Sequence, residues 1–114
     1  MVTQARERPK ARDPLSALSS PRRREILRLI WSNERSAGEI ARTFDVSWPA
    51  ISQNLRVLKE SGLVRERRSG TSRLYRANRA ALRPLEAYLR RMWEHDIDRL
   101  ALLAEAEERN RSKS

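Results

Sequence analysis

The stretch SAGEIARTFDVSWPAISQNLRVLKESGL, residues 36–63, decides the fold, because it has the pattern of two helices joined by a short turn. Ser36 and Glu39 form a capping box, in which each side chain can bond the other residue's backbone amide. Apolar residues then recur at helical spacing as Ile40, Ala41 and Phe44. Asp45 and Ser47 favour turns and interrupt that pattern. The sequence therefore predicts a first helix that begins at Ser36 and ends near residue 44.

A second helix is predicted directly after this turn. Ser47 can cap it, and Pro49 is tolerated in its first turn, where backbone amides have no intrahelical partner. Its apolar stripe consists of Ile51, Leu55 and Leu58. Gly62 supplies a C-terminal stop. Two helices joined by a three-residue turn predict a helix-turn-helix.

The face of the second helix opposite its apolar stripe carries short side chains, one amide and one arginine. At about 100° per residue, Pro49, Gln53 and Arg56 point outward, with Ser52 to one side. Gln pairs bidentately with adenine and Arg with guanine in the major groove, and short side chains allow a close approach. The alternative is an ordinary exposed helix face, although such faces more often carry Glu and Lys at four-residue spacing.

Length and charge limit the class of protein. The chain has 114 residues, enough for one small domain, and a net charge of +10. Residues 1–93 hold 21 basic and 9 acidic side chains, whereas residues 94–114 hold 4 and 6, so the basic body favours a polyanionic partner. No apolar run is long enough to span a membrane, and we expect a cytoplasmic protein. The absence of cysteine excludes disulfides and thiolate chemistry.

The segment before residue 36 predicts an arm and two helices. Residues 1–12 are basic and lack apolar periodicity, so we expect a disordered arm. Asp13 and Pro14 begin a short helix, and Ser20 and Pro21 begin the next. That next helix should bury Ile26, Leu27, Ile30 and Trp31 and leave Arg22, Arg23, Arg24 and Arg28 largely outside. A polar connection over residues 33–35 then leads to the capping box.

The stretch VRERRSGTSRLYRA, residues 64–77, predicts a β-hairpin. Its period is close to two, and Gly70 can take the positive φ of a tight turn. Five arginines crowd this ribbon: Arg65, Arg67, Arg68, Arg73 and Arg76. Beside a reading helix such a ribbon is placed for backbone and minor-groove contact. The alternative is a hairpin whose exposed edge is protected by charge.

From Asn78 to about Glu108 the sequence predicts one long helix, followed by a frayed tail over residues 109–114. Its apolar stripe exceeds what three short helices and a ribbon can cover, which favours a homodimer formed through this helix and the first helix. A monomer in which the segment folds back is the alternative. The predicted dimer interface is Leu15, Leu18, Leu85, Leu89, Met92, Trp93, Ile97, Leu100 and Leu103.

The order of these elements resembles the ArsR/SmtB family of bacterial winged-helix repressors over about residues 13–105. The resemblance is carried by DPLSALSSPRRREILRLI, AGEIARTFDVSWPAISQNLRVLKESGLV and the wing ending RLYR. It implies a homodimer whose recognition helices enter successive major grooves of an imperfect palindrome. The predicted DNA-binding residues are Ser47, Trp48, Pro49, Ser52, Gln53, Asn54, Arg56, Arg67, Arg68 and Arg73. Asn54 stands where the family commonly has histidine, and its alternative role is packing or a phosphate contact.

The sequence departs from the metal-sensing members of that family. It resembles the non-metal branch of the family instead. Ser36, Ala37 and Gly38 occupy the places of the family's metal-binding cysteines. Four further candidate ligands cluster near the C-terminus, but only one is histidine: Glu94, His95, Asp96 and Asp98. We expect no metal or other cofactor. The sequence leaves open whether release follows an unidentified small molecule, a partner protein or only the protein's own concentration.

Two other functional classes fit the sequence less well. An enzyme needs a set of catalytic groups around a pocket, and the sequence assembles none. A winged helix can instead serve as a protein-interaction module without specific DNA binding. Such modules do not usually concentrate arginines on the wing, so a DNA-binding regulator remains the main prediction.

Overall fold

The computed structural model describes residues 13–95 and 97–113, and the predicted arm over residues 1–12 lies outside them. It is mainly helical with one small sheet. In chain order the elements are α1 (Pro14–Ala17), α2 (Pro21–Leu29), β1 (Arg35–Ser36), α3 (Ala37–Phe44), α4 (Trp48–Glu60), β2 (Val64–Ser69), β3 (Ser72–Ala77), α5 (Arg79–Leu82), a 3₁₀ turn (Arg83–Leu85), α6 (Glu86–Glu94) and α7 (Ile97–Lys113).

The helix-turn-helix is confirmed as α3 and α4. The Ser36 amide donates to Glu39 Oε1 at 2.9 Å, and the Glu39 amide donates to Ser36 Oγ at 3.2 Å, which completes the capping box. Asp45 ends α3 in the left-handed conformation with φ 53°. Ser47 Oγ then accepts from the Ala50 amide and caps α4. Local capping therefore sets both ends of the turn.

The predicted hairpin is confirmed as β2 and β3, and residues 64–77 are called the wing below. A third strand, β1, was not predicted. Strand order is β1-β3-β2, all antiparallel. Arg35, expected in a plain polar connection, pairs with Tyr75 instead. Gly70 turns the hairpin with φ 64°. Because β1 leads directly into α3, its pairing attaches the wing to the helix-turn-helix.

The core lies between α2, the stripe of α4 and the base of the wing. Its fully buried side chains include Ile26, Ile40, Ile51, Leu58 and Leu82. The four residues predicted to be buried in α2 and just after it, Ile26, Leu27, Ile30 and Trp31, are all buried. The prediction for Arg24 was wrong, because the residue is only 7% exposed.

Arg24 is buried because its side chain connects α2 to the end of α1 and to α7. Its Nε and Nη2 each lie 2.7 Å from one carboxylate oxygen of Asp98 in α7. Its Nη1 donates to the Leu18 carbonyl, and its own carbonyl accepts from Trp93 Nε1 at 3.1 Å. The guanidinium thereby fastens the end of α1 and the terminal helix to α2.

The single long helix predicted after Asn78 was wrong. Asn78 does cap α5, but a 3₁₀ turn containing Pro84 separates α5 from α6. A second break follows at His95, the C-cap of α6. Proline removes a backbone donor and its ring crowds the preceding turn, which accounts for the first break. Beyond the second break α7 packs back on α2, and it continues to Lys113, past the end predicted at residue 108.

Candidate nucleic-acid interface

The outward face of α4 is arranged as the sequence predicted. Ile51, Leu55 and Leu58 are buried, and the opposite face presents Pro49 and Gln53 to solvent. Trp48, the first residue of the helix, is 57% exposed. Polar and apolar groups of α4 therefore project outward from a helix whose other side is anchored in the core.

Two predicted contact residues on α4 have weak internal partners. Ser47 Oγ accepts from the Ala50 amide at 3.2 Å, which leaves the hydroxyl hydrogen to donate to a phosphate or base acceptor. Arg56 Nε lies 3.4 Å from Glu60 Oε2, and the Arg56 side chain is 69% exposed. Exposed pairs four residues apart contribute only about 0.3–0.5 kcal/mol, so a DNA contact can replace this one.

Asn54 is engaged inside the chain. Its Nδ2 donates to the Ala50 carbonyl at 2.9 Å, and its Oδ1 accepts from Arg23 Nη1 at 3.2 Å. Arg23 Nε also donates to the Ala17 carbonyl at 2.6 Å. Asn54 thus ties α4 to α1 and α2, which favours the packing role that the sequence left open over base contact.

A groove of about 500 Å³ runs between the start of α3, the start of α4 and the wing. Its lining residues are Ser36, Ala37, Gly38, Trp48, Ser52, Thr71, Ser72, Arg73 and Tyr75. Thr71 and Ser72 were not predicted as site residues; their position beside the Gly70 turn was the available signal. The groove brings the predicted reading residues Trp48 and Ser52 next to the predicted wing contact Arg73.

Two of the three predicted wing arginines are in ion pairs. Arg67 donates to both carboxylate oxygens of Glu34, from Nε at 2.7 Å and from Nη2 at 2.8 Å. Hydrogen bonding to Arg67 lowers the pKa of Glu34 below its ordinary value. Arg73 Nη1 donates to Glu66 Oε2 at 2.8 Å. Both arginine side chains are more than half exposed, so phosphate oxygens can compete for them.

Glu66 has a second basic partner in Lys59 of α4. Lys59 Nζ lies 2.5 Å from Glu66 Oε1, and hydrogen bonds from Lys59 and then Arg73 lower the pKa of the Glu66 carboxyl. The carboxylate is mostly covered, with its side chain 13% exposed. Glu66 therefore links the reading helix to the wing and fixes their relative orientation.

The strand register places like charges opposite each other on the wing. Arg65 pairs with Arg76, and the exposed Arg68 pairs with Arg73. Like charges directly opposite in a sheet destabilise it. A polyanion relieves that repulsion, so the wing is better suited to a nucleic acid than to an uncharged partner.

The C-terminal segment offers no assembled metal site among the described residues. No group of three or more histidine, cysteine and acidic side chains comes together there. Asp98, one of the four candidate ligands, is 1% exposed and paired with Arg24; Asp96 lies outside the described residues. No helix in the described ranges is both long and apolar enough to cross a membrane.

The nine predicted dimer-interface residues fall into three groups by burial. Leu18, Leu89 and Trp93 are buried in the protomer's own core, and the prediction for them is corrected because they leave no surface for a second chain. Leu85 and Met92 are half-buried. Four side chains remain prominently exposed: Leu15 at 65%, Ile97 at 48%, Leu100 at 64% and Leu103 at 62%.

Known proteins are similar to this chain in sequence and in fold. The family model described as "Bacterial regulatory protein, arsR family" matches residues 20–66. The HTH-type transcriptional regulator Rv2034 of Mycobacterium tuberculosis is 37% identical over 91 residues, which cover 80% of this chain and 85% of that protein. The transcriptional repressor SdpR of Bacillus subtilis is 38% identical over 66 residues, which cover 58% of this chain and 73% of that protein.

A solved structure matches at the level of the fold. It is the homodimeric winged helix-turn-helix DNA-binding domain of a Mycobacterium bovis protein, determined by NMR in solution. The two chains superpose with a TM-score of 0.62 at 34% identity, over 69% of this chain and 73% of that one. In this chain the winged helix-turn-helix consists of α3, α4 and the wing.

Proposed function

Because this chain belongs to the arsR family of bacterial regulatory proteins, we propose that it is a cytoplasmic, homodimeric repressor that binds an imperfect palindrome in double-stranded DNA. The observation that carries the proposal is the surface formed by the outward face of α4 and the arginine-rich wing. In this proposal the chain has no catalytic activity.

Base reading is assigned to Gln53 and Arg56, which lie on the outward face of α4. Their amide and guanidinium groups match adenine and guanine edges in the major groove. Ser47 and Ser52 are assigned to phosphates or base edges, because hydroxyls make such contacts over short distances. Arg67, Arg68 and Arg73 are assigned to the backbone and minor groove beside the wing.

The dimer is assigned to the exposed apolar side chains of α1 and α7. Leu100 and Leu103 are more than 60% exposed on one helix, and Ile97 and Leu15 add to the apolar surface. A two-fold axis through this surface would set two α4 helices about one DNA turn apart, roughly 34 Å. Bound in this way the dimer would occlude a promoter, in keeping with the repressor named among its relatives.

Release by a metal is not part of this proposal. The cysteine places of metal sensors hold Ser36 and Gly38, and Asp98 is occupied by Arg24. An organic small molecule or a partner protein is the proposed signal, consistent with a non-metal branch of the family.

The test is selection of bound sequences from a random duplex library, followed by titration of enriched sites at two salt concentrations. An enriched inverted repeat, bound by dimer with steep salt dependence, supports the proposal, because phosphate contacts release counterions. Absence of enrichment refutes it and favours a protein-interaction module.

Arg56→Ala provides a sharper version of the same test. We expect it to weaken operator binding by about 1–3 kcal/mol and to relax one base position. Arg83→Ala is the matched control, because Arg83 is exposed in the 3₁₀ turn and belongs neither to α4 nor to the wing. An equal loss for Arg56→Ala on operator and random DNA would exclude a base-reading role for Arg56.

A further inference from the structure

Among the described residues, Trp48 lies on a different helix from the other large apolar side chains that are exposed. Its side chain is 57% exposed. In the described part of the chain the other exposed large hydrophobic residues lie in α1, α6 and α7: Leu15, Tyr88, Ile97, Leu100 and Leu103. Dimer formation can cover most of that second set, but Trp48 lines the groove between α3, α4 and the wing. Tryptophan is enriched among the side chains that dominate binding interfaces, so an exposed one in the candidate nucleic-acid interface is a candidate contact.

The start of α4 is an apolar leading edge. Trp48 is followed by Pro49 and Ala50, and all three are exposed. Apart from the indole N–H, their side chains offer no hydrogen-bond donor or acceptor. The N-terminal residues of a recognition helix are the ones that meet base edges in the major groove.

One base presents an apolar group in that groove. All four bases present hydrogen-bonding groups at their major-groove edges, but thymine also presents its 5-methyl group, which apolar side chains recognise. We propose that Trp48, supported by Pro49 and Ala50, reads a thymine methyl group in each half-site of the operator. This inference rests on the proposed function, since it specifies what one end of the reading helix recognises.

The neighbours of Trp48 favour a base contact over a phosphate contact. Ser52 and Arg73 line the same groove and carry the hydroxyl and guanidinium groups that suit phosphate oxygens. The indole N–H can donate to one phosphate oxygen, but the apolar surface of the ring would leave the other charged oxygens without partners, whereas a methyl group needs none. Contact with deoxyribose would bury the ring as well, but it would not depend on the base.

The experiment removes the methyl group alone. In the operator obtained by selection, each thymine of a half-site is replaced in turn by deoxyuridine, and affinity is measured by fluorescence anisotropy at one salt concentration. Burial of one methyl group predicts about a fourfold loss of affinity for one half-site and about 15-fold for both. Thymines outside the half-sites serve as the DNA control.

Three proteins are compared on these duplexes: the unmodified chain, Trp48→Ser and Trp48→Phe. Trp48→Ser should bind thymine and deoxyuridine operators equally, and Trp48→Phe should retain part of the discrimination because it keeps an apolar ring. Thermal unfolding serves as the folding control, since Ser47 caps α4 through the Ala50 backbone amide and not through Trp48.

The inference is overturned if enriched half-sites lack thymine, or if deoxyuridine has no effect at any half-site position. It is also overturned if Trp48→Ser discriminates the methyl as well as the unmodified chain does, or loses affinity equally on random DNA. Each of these outcomes can be observed only if the selection has enriched an operator that the protein binds. Failure to enrich any duplex would instead refute the DNA-binding proposal itself.

Discussion

Replacing Asp98 by Asn tests whether the terminal helix is held to α2 by a buried ion pair. Arg24 and Asp98 side chains are 8% and 1% exposed, and they share two contacts of 2.7 Å. Asp98→Asn leaves the Arg24 guanidinium buried without its counter-charge. Removing one partner of a buried pair costs about 3–5 kcal/mol. For a chain of this size that lowers the melting temperature by about 12–20 °C.

The matched control is Glu86→Gln, the same carboxylate-to-amide change in an exposed pair. Arg90 Nε lies 2.8 Å from Glu86 Oε2, so the bond length is almost the same, but these side chains are 51% and 36% exposed. Exposed pairs of this spacing contribute about 0.3–0.5 kcal/mol, so Glu86→Gln should change the free energy of unfolding by no more than that. The two pairs therefore differ in burial and in the number of hydrogen bonds, but hardly in bond length.

The assay is urea unfolding of each variant at two protein concentrations, because dimer dissociation adds a concentration-dependent contribution. The double variant Arg24→Met with Asp98→Leu should recover most of the lost stability, since it removes both charges and keeps the volume apolar. A cost for Asp98→Asn no greater than that for Glu86→Gln would refute this packing of α7 on α2.

Three further outcomes are expected. Leu100→Arg should give a monomer in sedimentation analysis, since it puts a charge in the proposed apolar interface, and an unchanged mass would exclude α7 as that interface. The pKa of Glu66 lies below its ordinary value, so its ion pairs stabilise the fold above about pH 4.3 and are lost as pH falls through the lowered pKa. Glu66→Gln should therefore flatten the acid limb of a stability curve measured by urea unfolding, and an unchanged limb would mean that Glu66 contributes nothing there. Arg68→Ala should weaken operator and random DNA similarly, as measured by anisotropy, and a loss confined to the operator would contradict a backbone role.

Local signals in the sequence predicted the helix-turn-helix accurately. The Ser36–Glu39 box, the Ser47 cap and the glycines at 62 and 70 act within a few residues, and each has the predicted role in the structure. Such signals depend on backbone geometry that neighbouring residues determine. The reading face of α4 followed from its apolar stripe, because burial of Ile51, Leu55 and Leu58 leaves the opposite side chains facing outward.

Those local signals could not predict contacts between residues that are distant in the sequence. Arg24 is on the polar side of α2 by periodicity, and its burial depends on Asp98, which lies 74 residues further along the chain. Strand β1 has two residues and no period of its own, so only its pairing with β3 defines it. For the same reason Leu89 and Leu100 have equivalent places in the apolar pattern, although one is buried in the protomer and the other is exposed. Periodicity identifies an apolar face without identifying what covers it.

The wing shows how this limitation affects functional assignment. Five arginines and one glutamate on the hairpin predicted a strongly basic surface, but the structure adds Glu34, which is brought to Arg67 by the pairing of β1. Glu66 likewise holds Arg73 and Lys59. In the proposed complex, phosphates must therefore displace carboxylates from Arg67 and Arg73, whereas Arg68 has no such competitor among the ion pairs described for residues 13–95 and 97–113. If these exchanges cost as little as exposed pairs usually do, the acids chiefly keep the wing in place before DNA arrives. The wing is then oriented by Glu34 and Glu66, and it presents Arg68 next to its turn as an arginine that phosphate can reach without displacing a carboxylate.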